Sequence, residues 1–232
     1  MPRILLALGL AAIGLQNLVT AGFLPELQPV PDWVPARPLW ACAVGLLLAG
    51  SGAFIIAGRA IGRAAGALTV LLLLTLLLLH LPRVIVDPGN GGAWTGAFEI
   101  LALGGAAWFL TGTPRGERAG RLCFAASLPA FGVLHFIYSD YVAFVIPGWI
   151  PAHLFWAYFT GVAHIAAGIS IATGVKARLA AVLLTVMFGS WVVLLHVPRV
   201  AADLGKRPEW TSLFVAMAMC GGSWLIARRL AR

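Results

Sequence analysis

Two copies of the sequence His-x-Pro-Arg are the best candidates for chemistry in this chain. They read His80-Leu81-Pro82-Arg83 and His196-Val197-Pro198-Arg199, and each follows a long run of Leu and Val. Paired imidazoles and guanidiniums could receive an anionic or quinone-like headgroup. Because proline lacks an N–H and leaves the carbonyl four residues back without a donor, each motif predicts a helix end. A structural interpretation stays open, in which the motif only ends the helix and the arginine extends to the lipid headgroups.

Two ionisable residues, Glu99 and His164, fall inside apolar segments. An ionisable group within hydrocarbon is costly enough to be a functional candidate by default. The spacings of three and four residues put His153, Trp156, Thr160 and His164 on one face of a helix, which predicts a polar stripe running toward mid-bilayer. The alternative for His164 is a hydrogen bond to a neighbouring helix that only stabilises packing.

The sequence predicts that these residues gather in a vestibule on one side of the membrane, where the duplicated motifs occupy equivalent places. The predicted ligand-binding residues are His80, Arg83, Glu99, His135, His153, His164, His196 and Arg199. No catalytic residue is assigned. Two imidazoles on facing helices would suit a haem, and His with Glu99 could hold a cation. His-x-x-x-His and His-Glu-x-x-His spacings are absent and a proline follows close behind each motif histidine, which disfavours haem and metal and leaves quinone as the cofactor considered.

The composition requires a membrane. The chain is 61% hydrophobic and 10% charged, whereas about a quarter of the residues in a soluble domain are charged. About 20 apolar residues cross a bilayer. Eight segments of that kind are predicted, at 4–24, 38–58, 64–81, 94–112, 118–138, 152–174, 178–197 and 210–227. The predicted fold is therefore an all-α bundle of eight transmembrane helices.

The chain also matches itself without a gap at an offset of 116 residues, half of its 232. Trp33-Val34-Pro35 falls on Trp149-Ile150-Pro151, and the two His-x-Pro-Arg motifs coincide. Such a register indicates a tandem duplication, with repeats at 1–116 and 117–232. Four helices per repeat is an even number, which predicts parallel repeats related by an axis along the membrane normal. The duplication also predicts that the first apolar segment is retained and is no cleaved signal peptide.

The basic residues predict the orientation. Eleven of the 16 Lys and Arg residues fall on one side of the predicted topology and five on the other. The positive-inside rule then places both termini in the cytoplasm. The net charge of +8 indicates contact with anionic lipids and does not imply nucleic-acid binding. The three cysteines are distant in sequence, which argues against a disulfide or dithiol centre.

The second repeat resembles the DoxX-like family of bacterial four-helix membrane proteins. The resemblance rests on the segments 132–136, 146–151 and 158–163, on Arg178-Leu179-Ala180-Ala181, and on the His-x-Pro-Arg end. It reaches the whole chain through the internal duplication. Many relatives carry an acid after the Thr-Gly step, where this chain has His164, so a role resting on that carboxylate does not transfer. The resemblance permits a link to thiol, oxidative-stress or thiosulfate–quinone systems.

Together these observations predict an accessory protein of the cytoplasmic membrane that binds a small amphiphile, a quinone or a lipid, in an outer-facing vestibule. Its partners would be membrane lipids and redox or other membrane proteins. The alternative function is a transporter or channel for protons or a small solute, based on Glu99 and the stripe from His153 to His164. A redox enzyme in its own right is a third hypothesis.

Overall fold

A computed structural model describes residues 1–231. Over these residues the chain is helical and contains no strand. Eight helices are long and apolar enough to cross a bilayer, and we number them α1 to α8: Pro2–Thr20, Arg37–Ile56, Ile61–Val86, Gly91–Leu110, Pro114–Ile137, His153–Thr173, Ala177–Ala202 and Arg207–Arg229. The predicted all-α class, with eight helices of membrane-spanning length, is confirmed.

Each helix packs against its neighbours in chain order, and α1 also packs against α8. In addition, α4 contacts α8. These two helices are the most enclosed: 61% of the apolar window of α4 and 67% of that of α8 is buried, against 39% or less in the other six. The bundle is therefore organised around α4 and α8, and the outer faces of the remaining helices are exposed.

Glycines let paired helices approach closely at matching places in the two halves. A Cβ on Gly14 of α1 would lie 2.6 Å from the carbonyl oxygen of Gly45 in α2. In the second half, a Cβ on Gly132 of α5 would lie 2.5 Å from the carbonyl oxygen of Gly161 in α6. Because lipid tails are as apolar as the side chains, close backbone packing of this kind is a main force between membrane helices.

The prediction that the His-x-Pro-Arg motifs end their helices is wrong. α3 continues through Pro82 to Val86, and α7 continues through Pro198 to Ala202. Each passes through one π-helical turn just before the proline, at Leu76–His80 and at Val192–His196. In a π turn the N–H bonds to the carbonyl five residues back, as Leu81 bonds to Leu76. This wider turn makes room for the proline ring, which would otherwise meet the carbonyl four residues back.

Two ends of the bundle can be told apart. Met1, at the start of α1, and Arg228, near the end of α8, line one pocket, and we call this side the terminal end. The other side, where α3 and α7 finish, is the opposite end. At the opposite end α5 stops at Ile137, and a short helix, Ser139–Val145, follows before α6 begins at His153.

Candidate functional site

A loop segment covers the first half of the bundle at its opposite end. Leu24, Leu27 and Gln28 of this segment are buried, and we call residues 24–28 the plug. The side-chain amide of Asn17, on α1, donates to Gln28 Oε1 at 2.7 Å. His80 Nε2 donates to the carbonyl oxygen of Leu27 at 3.0 Å. The plug is thus held by polar side chains of α1 and α3 that are themselves buried.

His80 is enclosed as well as bonded. Gly96 of α4 lies so close that a Cβ there would be 2.8 Å from His80 Cε1 and 2.6 Å from the carbonyl oxygen of Glu26 in the plug. The remaining ring nitrogen, Nδ1, is buried and has no hydrogen-bond partner among residues 1–231. His80 is therefore tightly packed, and its hydrogen bond is to the backbone of the plug.

The second half of the bundle is not covered in the same way. The residues that correspond to the plug, 140–144, belong to the short helix Ser139–Val145, which has no buried residue. Phe144, at the position of Gln28, is 84% exposed. His196, at the position of His80, is half-buried, and its Nδ1 atom has no partner in the described chain. The opposite end of the second half therefore lacks the cover that closes the first.

The two motif arginines also differ. Arg199 binds the carboxylate of Glu209 at two points, with Nη2 to Oε1 at 2.9 Å and Nε to Oε2 at 2.8 Å. Glu209 lies at the start of α8 and is buried, and Lys206 Nζ is 2.9 Å from its Oε1. Arg83 makes no ion pair within residues 1–231, because Ala93 occupies the position of Glu209. The sequence analysis missed Glu209, although its place ten residues after Arg199 was a visible signal.

The structure brings His135 and His164 together inside the second half. Their ring centroids are 5.0 Å apart. Trp191 of α7 stacks on His135 at 6.1 Å and lies 5.5 Å from His164, and Phe131 and Phe188 flank His164 at 5.8 Å each. We call these five residues the imidazole cluster. His164 is buried and His135 is half-buried, so the cluster reaches from the core toward the surface.

Hydrogen bonds fix the tautomer of both cluster histidines. His135 Nδ1 lies 2.8 Å from the carbonyl oxygen of Phe131, and His164 Nδ1 lies 2.9 Å from that of Thr160. A carbonyl only accepts, so Nδ1 carries the proton in each ring. In the neutral ring the other nitrogen, Nε2, then has a free lone pair. The cluster can therefore offer two hydrogen-bond acceptors, set among aromatic rings, to a ligand with hydroxyl or N–H groups.

The first half has no counterpart to this cluster. At the offset of 116, the positions of His135, His164 and Trp191 correspond to Val19, Leu48 and Thr75. In the packing of α1 on α2, however, Asn17 holds the place of His135, because Asn17 Cβ lies against Gly45 as His135 Cβ lies against Gly161. Leu48 and Thr75 line a cavity of only about 10 Å³, together with other mostly aliphatic side chains. Two acceptors on imidazole rings thus occur in the second half alone, and the two predicted repeats do not carry equivalent sites.

The remaining predicted site residues lie apart from the cluster. The predicted stripe on α6 divides, because Thr160 and His164 are buried whereas Trp156 is 39% exposed. His153 is half-buried at the first position of α6. Glu99 on α4 is half-buried and makes no hydrogen bond or ion pair with any described residue. No group of three or more metal-ligating side chains occurs in the part of the chain that the structure describes.

The two motifs lie on helices with different packing partners. α3, which carries His80, packs against α2 and α4, and α7, which carries His196, packs against α6 and α8. The path of contacts from one motif helix to the other runs through α4 and α8. The structure thus brings His135 and His164 together and places the two His-x-Pro-Arg motifs in separate halves.

Comparison with known families gives one match. Residues 124–220 match the model of a family described as a domain of unknown function (DUF8561). The matched stretch begins in α5 and ends in α8, so it holds His135, His164 and Trp191 and covers less than half of the chain. No curated protein matches the chain. No solved structure matches it either.

Proposed function

We propose that this chain is an accessory integral protein of the bacterial cytoplasmic membrane, of DoxX-like type, that binds a small amphiphile in its second repeat. The ligand would be a quinone or quinol, or a lipid with a hydroxyl-bearing headgroup. Its site would be the imidazole cluster, reached from the outer side of the membrane. A link to redox or oxidative-stress partners follows from the DoxX-like resemblance.

The proposed topology has two parallel four-helix repeats with both termini in the cytoplasm. It is supported by the gapless offset of 116 residues in the sequence and by the distribution of Lys and Arg. Helix packing gives further support, because α1 to α4 and α5 to α8 pair in the same order and α4 meets α8 between them. The terminal end would then be cytoplasmic, and the end that carries the plug would face outward.

The observation that carries the proposal is the pair of Nε2 acceptors on His135 and His164 among aromatic rings, with His135 half-buried. A quinol carries two hydroxyl donors on a planar ring. Such a ring can donate a hydroxyl to one of these acceptors and present a face to Trp191, since aromatic rings stack at offsets of about 4.5–7 Å. Sites of this kind, apolar with a few placed polar groups, are typical for small ligands.

The test starts from the full chain purified in mild detergent, with an absorption spectrum and a mass spectrum of its lipid extract. We expect a retained quinone or hydroxyl-bearing lipid. Replacing His135→Val together with His164→Leu removes both imidazoles and should remove that ligand. His153→Ala is the matched control, because it removes a histidine that lies outside the cluster. A sample without a retained amphiphile, or one retained equally by the double variant, would refute the proposal.

A second candidate is transport of a proton or small solute, favoured by Glu99. This carboxyl group lies in α4, one of the two central helices, and is half-buried without a partner in residues 1–231. An ionisable group inside a membrane-spanning helix is energetically costly, which makes it a functional candidate by default. Reconstitution in vesicles with an imposed proton gradient tests it. Flux that stops with Glu99→Gln would support transport, and a protein that carries no flux in either form would remove this candidate.

A further inference from the structure

A second pocket, at the terminal end, lies away from the imidazole cluster. Its volume is about 310 Å³. Three pairs of its lining residues are separated by the repeat offset of 116: Met1 with Glu117, Phe109 with Leu225, and Gly112 with Arg228. A pocket lined by equivalent residues of both repeats lies where the two repeats meet. It is therefore a feature of the whole duplicated chain and of neither half alone.

Charge collects on this pocket. Arg3, Arg228 and Arg229 line it together with the single carboxylate of Glu117. Arg229 is ion-paired with Glu117. Arg3 and Arg228 make no hydrogen bond or ion pair with any residue from 1 to 231, and both are exposed. The Arg3 guanidinium extends beside Gly58 at the end of α2, while Arg228 belongs to α8. Two guanidiniums from different repeats thus remain available to an anion.

The pocket is also partly apolar. Phe109 and Leu225 line it, with Leu110 and Pro2. Arginine guanidinium groups bind phosphate through paired N–H donors, and they are more weakly hydrated than an ammonium group. A ligand that fits both parts has a phosphate group joined to an apolar portion. Such chemistry is found in anionic phospholipids, and the phosphate part alone is shared by free phosphate.

We propose that this terminal-end pocket is a binding site for a phosphate group, held by Arg3 and Arg228 above the apolar side chains of Phe109 and Leu225. The site is independent of the amphiphile proposed for the second repeat, because it involves other residues at the other end of the bundle. A charge-assisted hydrogen bond to a bound phosphate contributes about tenfold in affinity for each arginine, so the pair should contribute about 100-fold.

The test uses the full chain in lipid nanodiscs of phosphatidylcholine alone and of phosphatidylcholine mixed with phosphatidylglycerol. Native mass spectrometry then measures how much phosphatidylglycerol stays bound to the protein after the protein is released from the nanodisc. Arg3→Gln with Arg228→Gln should reduce retention by about 100-fold. The control, Arg59→Gln with Arg63→Gln, removes the same charge from residues that do not line the pocket, and it should retain the lipid. Arg228→Gln alone is a second variant, and it leaves Arg3 unchanged.

A parallel measurement distinguishes the source of the phosphate. Thermal unfolding in detergent is followed with inorganic phosphate and with chloride at equal ionic strength. Stabilisation by inorganic phosphate that is lost in the Arg3→Gln and Arg228→Gln variant, without retained phosphatidylglycerol, supports the site with a soluble ligand. Equal lipid loss in both double variants would show attraction to the charged surface in general and overturn the proposal. Absence of both lipid retention and phosphate stabilisation in the unmodified chain would also overturn it.

Discussion

The imidazole rings of His135 and His164 lie with their centroids 5.0 Å apart, and both bind carbonyls of their own helices through Nδ1. Both rings are thereby held with the same nitrogen, Nε2, free to accept. When either histidine is replaced, a ligand whose hydroxyl bonds to it should lose about 0.5–1.5 kcal/mol of binding free energy.

The first prediction concerns the coupling between these two histidines. We expect His135→Val and His164→Leu each to weaken binding of a quinol by about 2- to 12-fold. If both histidines contact the same bound quinol, the loss of affinity in the double variant should be smaller than the product of the two fold-losses in the single variants. A double-mutant cycle, measured by quenching of tryptophan fluorescence on titration with the quinol, decides this. Independent, multiplicative losses would mean that the two rings do not share a ligand.

The second prediction concerns the ion pair of Arg199 with Glu209. Glu209→Ala, which installs the residue of the first repeat, should lower the free energy of unfolding by about 1–2 kcal/mol. The loss is smaller than for a fully buried pair, because 34% of the Arg199 side chain is exposed. Thermal unfolding in detergent measures it. Arg83→Ala is the control, since Arg83 has no carboxylate partner in residues 1–231, and an equal loss there would contradict the assignment.

The third prediction concerns the plug. Gln28→Ala removes the oxygen that accepts from Asn17 and from the backbone N–H of Leu24. Asn17 is fully buried, so its amide would be left without that acceptor, and we expect a loss of about 1–3 kcal/mol. Phe144→Ala, at the same position of the second repeat, should change unfolding little because that side chain is exposed. Equal effects of the two substitutions would mean that the plug is not a structural closure.

The fourth prediction concerns the glycine behind His80. Gly96→Ser places the residue of the second repeat at this position, and its Cβ would meet backbone of the plug at 2.6 Å. We expect the plug to be displaced and residues 24–28 to become accessible. Limited proteolysis or hydrogen exchange over that segment reports it. The reverse change, Ser212→Gly, lies at an exposed position and should leave exchange unchanged. Protection of the segment in Gly96→Ser would show that the close packing is not required.

The features that depend only on local sequence could be predicted. Apolar segments of bilayer length predicted all eight helices, because each requires only its own composition. Sequence reasoning failed at Pro82 and Pro198, where the rule that proline ends a helix was defeated by a π turn just upstream. The approach of His135 to His164 could not be predicted, since these residues lie on different helices and meet only through the packing of α5 with α6. The plug was missed because Gln28 is buried by residues of α1 and α3.

The contact between α1 and α8 sets a condition on how the bundle is completed in the membrane. α1 is the first of the eight helices to leave the ribosome, and α8 is the last. The face of α1 around Gly9 packs against Phe214 and Ala218 of α8. This contact can therefore form only after all eight helices have been made, and it is the step that joins the two ends of the bundle in the chain's order of synthesis.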